Sequence, residues 1–184
     1  MKLLLVTGSS AKAREAASIM GSEIEHAELE LPEIQAATIE EVAREKAREA
    51  FRRLGKACVV EDSALGFAAW GGLPGPYIKW FERVAGLPAL CRALDGFPDR
   101  RASAVCVLAF RSETEQLTAL GRIDGTIARD PRGNGGFGWD AIFVPDGEER
   151  TFAEMTAAEK NAMSHRRRAW EDLRKKIRLW QEGR

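Results

Sequence analysis

The chain has 184 residues, 45% apolar and 30% charged, enough to build a sizeable core and too short for a multidomain assembly. Its 28 Lys and Arg balance 28 Asp and Glu, and a formal net charge of zero argues against a general nucleic-acid binder while allowing a local basic pocket for a small anion. No apolar run approaches the roughly 18 residues of a membrane span, and Leu3–Val6 is too short for a signal h-region. The cysteines Cys58, Cys91 and Cys106 form no C-x-x-C pair and read as buried thiols in a reducing compartment, so the expectation is a cytoplasmic protein with no membrane partner.

In chain order, Lys2–Val6 reads as a short buried strand broken at Gly8, with Ser9 or Ser10 capping a helix to about Met20. Ile24–Leu31 reads as a second strand ending at Pro32. Thr38-Ile39-Glu40-Glu41 is a capping box opening a helix to about Leu54. Ala57–Val60 is a third strand, delivering Glu61-Asp62-Ser63 at its C-terminal end. The breaker-rich run Gly71–Pro76 precedes short helices at Tyr77–Val84 and Pro88–Leu94. Ala102–Phe110 and Gln116–Ile123 form a hairpin around Ser112–Glu115, and a glycine-rich loop, Arg132–Gly138, precedes a strand at Ala141–Val144. Thr156 and Glu159 make another capping box, and Ser164 can cap a last helix through about Trp180. The pattern is α/β, a class that usually places ligands at strand ends.

Several residues stand out against this pattern. Lys46 falls in the apolar stripe of Ile39, Val42, Ala43 and Ala50, either snorkelling from its edge or facing an internal cleft. Arg166 sits near the middle of the face formed by Ala169, Trp170, Leu173, Ile177 and Trp180, where it must find an anion; a buried ion pair and a ligand contact are equally open. Glu33 and Asp62, at two chain breaks, are turn residues or hard-ion ligands suited to Mg²⁺ rather than zinc. Phe137 and Trp139, among glycines, either plug the core or stack on a base. The common nucleotide loops are missing, but Gly8 before a helix N-terminus could hold phosphate.

Taken together, Val6-Thr7-Gly8-Ser9-Ser10-Ala11-Lys12 with Glu15, Leu31-Pro32-Glu33, Val60-Glu61-Asp62-Ser63, Gly71–Phe81, Phe137-Gly138-Trp139-Asp140 and Ala158–Asn161 with Ser164-His165-Arg166 resemble the inosine triphosphate pyrophosphatase family. The one departure is Ser9, where the family's T-x-N-x-x-K motif has Asn. The resemblance implies a single domain over 1–184, an elongated two-lobed α/β fold with a central mixed sheet flanked by helices, and a nucleotide cleft between the lobes. It also implies hydrolysis of ITP, dITP and XTP to the monophosphate and pyrophosphate.

Carried over position by position, the resemblance implies that Thr7, Gly8, Ser9, Ser10, Ala11 and Lys12 hold the triphosphate. Glu33 and Asp62 would bind Mg²⁺ (or Mn²⁺), with Asp62 accepting the proton of the attacking water beside Ser63. Lys46 and Lys79 would neutralise phosphate oxygens. Phe137, Gly138, Trp139, Asp140, Lys160, His165 and Arg166 would line the base pocket. Family members are usually homodimers, and Trp80 and Phe81 could serve that interface. Two alternatives stay open: a Maf-like pyrophosphatase of pyrimidine or modified nucleotides, and a nucleotide-binding module without turnover.

Overall fold

The computed structural model describes residues 3–183, which gather into two compact units. Lys2, placed in the first strand by the sequence pattern, lies outside the described residues. The first unit takes the chain up to Ser63, Cys106–Gly121 and the residues from His165 onward; the second takes Ala64–Val105 and Arg122–Ser164. The elements are β1 Leu4–Val6, α1 Ser10–Met20, β2 Glu25–Ala27, α2 Ile39–Leu54, β3 Cys58–Phe67, β4 Pro74–Gly75, α3 Ile78–Ala85, α4 Leu87–Arg92, β5 Arg101–Arg111, β6 Gln116–Ile127, β7 Phe143–Pro145, α5 Ala157–Met163 and α6 His165–Glu182. The strands follow the order β2-β1-β3-β5-β6-β7, with β4 on β3; β1 is parallel to β2 and β3, while β3–β4 and β6–β7 are antiparallel. This is the mixed sheet with flanking helices that the resemblance implies.

Local chemistry accounts for the helix ends. Ser9 caps α1, its hydroxyl accepting the Lys12 N–H at 3.3 Å. Thr38 and Glu41 close the capping box of α2, and Gly55 ends it in the left-handed conformation at φ 61°. In the first unit, Leu5, Val59, Leu108 and Phe110 of the strands pack with Ala16 of α1 and Trp170, Leu173 and Ile177 of α6. In the second, Leu65, Phe67, Ala104 and Ile127 pack with Ile78 of α3, Leu90 of α4, and Trp139, Phe143 and Phe152.

Strand lengths depart from the sequence pattern because a strand lasts only as long as its partner. The strand expected at Ile24–Leu31 is confined to β2, whose three residues match the three of β1. The strand expected to stop at Val60 runs on to Phe67, where Leu65 and Gly66 pair with Gly75 and Pro74. Glu61, Asp62 and Ser63 therefore lie inside β3 rather than beyond its end. The hairpin is present and longer than expected, its connection closed by the Ser112 N–H donating to the Glu115 carbonyl at 2.9 Å. Residues 138–141 form a short 3₁₀ turn, which displaces the expected strand at Ala141 to β7.

No helix among the described residues is long and apolar enough to cross a membrane. The three cysteines are buried free thiols, and burial pushes Cys58 and Cys91 up to about 11. Gly121, on β6, lets the first turn of α6 approach the strand: a Cβ there would stand 1.9 Å from the His165 carbonyl oxygen and 2.4 Å from the Ala169 nitrogen. Gly121→Ala is expected to destabilise the protein by about 1–3 kcal/mol or more, read as a lowered thermal midpoint; an unchanged midpoint would contradict this contact.

Candidate functional site

Strand pleating sends Glu61 and Asp62 to opposite faces of β3, and each meets its own set of cations. On the face shared with Val59, α1 and α6, the fully buried Glu61 carboxylate accepts the Arg166 Nε–H at 3.0 Å on both oxygens, and the Lys12 ammonium stands 3.5 Å away. The Arg166 guanidinium also pairs with Glu15 of α1. Burial alone would raise the Glu61 pKa, but the charges of Arg166 and Lys12 outweigh it and hold the group below 4.5. Burial likewise opposes the charge on Arg166, and Glu61 and Glu15 more than offset it, raising its pKa.

On the opposite face, Asp62 Oδ2 and Glu33 Oε1 each accept a hydrogen bond at 3.0 Å from Lys46 Nζ of α2. The three side chains are 17%, 30% and 13% exposed, so the cluster is sheltered yet reachable. Desolvation disfavours the Lys46 charge, but Asp62 and Glu33 overcome it and its pKa rises. Two carboxylates already converge on one cation here, so the donor set suits a hard ion bound by oxygen. Among the described residues no group of three or more His, Cys, Asp or Glu forms a ready cage. An ion at Glu33 and Asp62 would draw its other ligands from water and phosphate, which is how Mg²⁺ is usually held.

At the start of α1, the Ser9 N–H donates to Thr7 Oγ1 at 3.1 Å while the Ser9 hydroxyl caps Lys12. Serine and asparagine are comparable N-caps, so the departure at this position keeps the local structure. Gly8 and Ser10 are exposed, Ala11 is half-buried, and Ser10 Oγ accepts from Arg14 at 3.3 Å. Ser63 donates its N–H to Asp62 Oδ1 at 3.1 Å.

The remaining predicted residues lie mostly in the second unit. Asp140 Oδ2 accepts the Phe137 N–H at 2.8 Å and pairs with the buried Lys160 ammonium, which lies 4.7 Å from the Phe137 ring centroid. Trp139 is a core residue, edge-on to Phe143 at 5.9 Å, which is the plugging role; Phe137 stays half-buried. Lys79 of α3 lies over Trp80 at 5.4 Å. His165 and Ser164 are buried at the join of α5 and α6.

Three residues in contact with the predicted site residues carry no role in the sequence reading. Glu61 stands in the Val60-Glu61-Asp62-Ser63 motif but has no role of its own there. Gly121 was visible as an isolated glycine in a strand, a signal of close backbone approach. Glu82 of α3, beside Gly138, carries no sequence signal beyond its helix.

The Ham1 family pattern matches residues 3–176, and the chain belongs to that family. Inosine triphosphate pyrophosphatase 2 of Trypanosoma cruzi is 44% identical over 172 residues, covering 91% of this chain and 88% of its own. Among solved structures, a Ham1 protein from Coxiella burnetii has a TM-score of 0.82 at 32% identity, covering 96% of this chain and 99% of that one. A nucleoside-triphosphatase described as a dITP/XTP pyrophosphatase from Mycobacterium abscessus has a TM-score of 0.75 at 36% identity, covering 94% and 98%.

The Glu61 network generates a pH prediction. A carboxylate held below 4.5 contributes fully above that value and loses its contribution as the pH falls through its folded-state pKa. Urea unfolding from pH 7 to 3 should show stability declining on the acid side. Glu61→Gln should be less stable by about 3–5 kcal/mol at pH 7 and should decline less steeply with acid. An acid limb as steep as that of the unsubstituted protein would contradict the assignment.

Proposed function

We propose that the chain hydrolyses ITP, dITP and XTP to the nucleoside monophosphate and pyrophosphate, clearing deaminated purines from the nucleotide pool. The observation that carries the reading is the Glu33–Lys46–Asp62 cluster, two carboxylates and a lysine at 3.0 Å contacts, in a chain 44% identical to an inosine triphosphate pyrophosphatase. Water attacks the α-phosphorus, the bond to the bridging oxygen breaks, and pyrophosphate leaves with the electron pair. Asp62 takes the proton of that water. Glu33 and Asp62 would hold Mg²⁺ (Mn²⁺ as a substitute), which supplies Lewis-acid charge on the phosphate oxygens.

Lys12, Lys46 and Lys79 offset charge on the triphosphate and on the departing pyrophosphate. The N–H groups of Gly8, Ser10 and Ala11 bind phosphate at the α1 N-terminus, with Thr7, Ser9 and Ser63 orienting the surrounding backbone. On the base side, Phe137 stacks, Lys160 presents its ammonium beside the turn Gly138-Trp139-Asp140, and His165 and Arg166 are further candidate donors. Lys160 and Arg166 carry donors only, which suits the 6-oxo group of hypoxanthine and xanthine; adenine's amino group accepts no hydrogen bond from them, at about 1–3 kcal/mol per bond forgone. The exposed Trp80, Phe81 and Val84 of α3 support a homodimer face. Zero formal net charge and buried free thiols support a cytoplasmic enzyme that does not bind nucleic acid.

Pyrophosphate release from ITP, XTP, dITP, ATP, GTP and UTP, with Mg²⁺ and with EDTA, tests this. The expected result is metal-dependent turnover with kcat/KM for ITP about 100-fold above ATP, the worth of one or two donor contacts. Turnover of UTP in preference to ITP would point to the Maf-like reading, and binding without pyrophosphate release would point to a non-catalytic module.

A further inference from the structure

The Glu82 carboxylate, from the middle of α3, lies against the turn that carries Phe137 and Trp139. Gly138 stands there at φ 60°, and a Cβ on it would be 3.5 Å from Glu82 Oε2 and 3.9 Å from Oε1. Glu82 is half-buried, and among the described residues no hydrogen bond or ion pair holds its oxygens. The neighbouring carboxylate is differently placed: Asp140 Oδ2 already accepts the Phe137 N–H and the Lys160 ammonium. Burial, with the Asp140 charge adding to it and Arg83 opposing, raises the Glu82 pKa above 4.5. A sheltered acceptor without a donor costs free energy unless something else supplies one.

We infer that Glu82 is a specificity residue that accepts the N1–H of a 6-oxopurine base at the Gly138 turn. The inference rests on the reading of Phe137–Asp140 as the base-lining turn. Hypoxanthine and xanthine carry a hydrogen on N1; adenine carries a lone pair there, which would face the carboxylate oxygens in repulsion. Glu82 therefore complements the Lys160 donor: the ammonium matches the 6-oxo acceptor, and the carboxylate matches the adjacent donor. Guanine shares the N1–H, so Glu82 separates 6-oxo from 6-amino purines and leaves the rejection of GTP to other contacts.

The test compares ITP with 1-methyl-ITP, which lacks the N1–H, as substrates of the unsubstituted enzyme and of Glu82→Ala and Glu82→Gln. A hydrogen bond to a charged acceptor is worth about tenfold or more in affinity. The unsubstituted enzyme should show KM for 1-methyl-ITP about tenfold above ITP. Glu82→Ala should raise KM for ITP about tenfold, lower KM for ATP as the repulsion is removed, leave kcat values within about twofold, and lose the discrimination against the methyl group. Glu82→Gln, whose amide oxygen still accepts, should recover part of it. Unchanged KM for ITP in Glu82→Ala, or methyl discrimination that survives there, would overturn the inference while the proposed function stands. An unsubstituted enzyme that releases no pyrophosphate from ITP would instead overturn the underlying reading, and this inference with it.

Discussion

The burial of one charge, Glu61 in β3, organises much of the first unit. A carboxylate taken out of water costs several kcal/mol unless cations meet it, and Glu61, 3% exposed, is met by Arg166 and Lys12. Those partners arrive from the first turn of α6 and the first turn of α1, so the pairing fixes both helix starts against the strand. Gly121 completes the fit by removing the side chain that would otherwise hold α6 away. Because β3 is pleated, the next residue, Asp62, is turned to the other face and left to the more accessible Lys46 and Glu33. One strand thus carries a fully buried carboxylate and a more accessible one side by side, with the division set by backbone geometry.

The same device recurs in the second unit. Lys160, 2% exposed, is fixed by Asp140, which also holds the Phe137 amide, so the cation, the ring and the turn are set in one arrangement. Donors oriented in advance by carboxylates need little reorganisation when a ligand's acceptor arrives. Arg166 answers to the ion-pair reading of its sequence position: its pairing with Glu61 and Glu15 is the reason it tolerates burial.

What the sequence disclosed follows the range of the forces involved. The capping boxes at Thr38 and Thr156 and the Ser9 cap act over three residues, and all are present as the pattern implies. Helical periodicity turned Lys46 and Arg166 inward, and both are found there. Their partners were another matter: Glu33 and Asp62 lie 13 and 16 residues from Lys46, while Glu61 and Glu15 lie 105 and 151 from Arg166. No local pattern links positions so far apart; the family motifs gathered most of these residues, but the Glu61–Arg166 pairing became visible only in the fold. The short β2 and the long β3 were hidden for a related reason, since a strand's length is decided by its neighbour. The Trp139 core role was one of two readings that glycine flanks left open, and packing against Phe143 and Phe152 decided it.

The division of labour on β3 is the central claim, and the turnover of Asp62→Asn tests it most directly. Asparagine keeps the volume and one acceptor oxygen but is a far weaker proton acceptor than a carboxylate, and Asp62 is not the buried anchor. Pyrophosphate release from ITP should fall by about 10²–10⁴-fold, the usual worth of general-base catalysis, with the thermal midpoint close to that of the unsubstituted protein. Turnover near the unsubstituted rate would contradict the account and remove Asp62 from the chemistry.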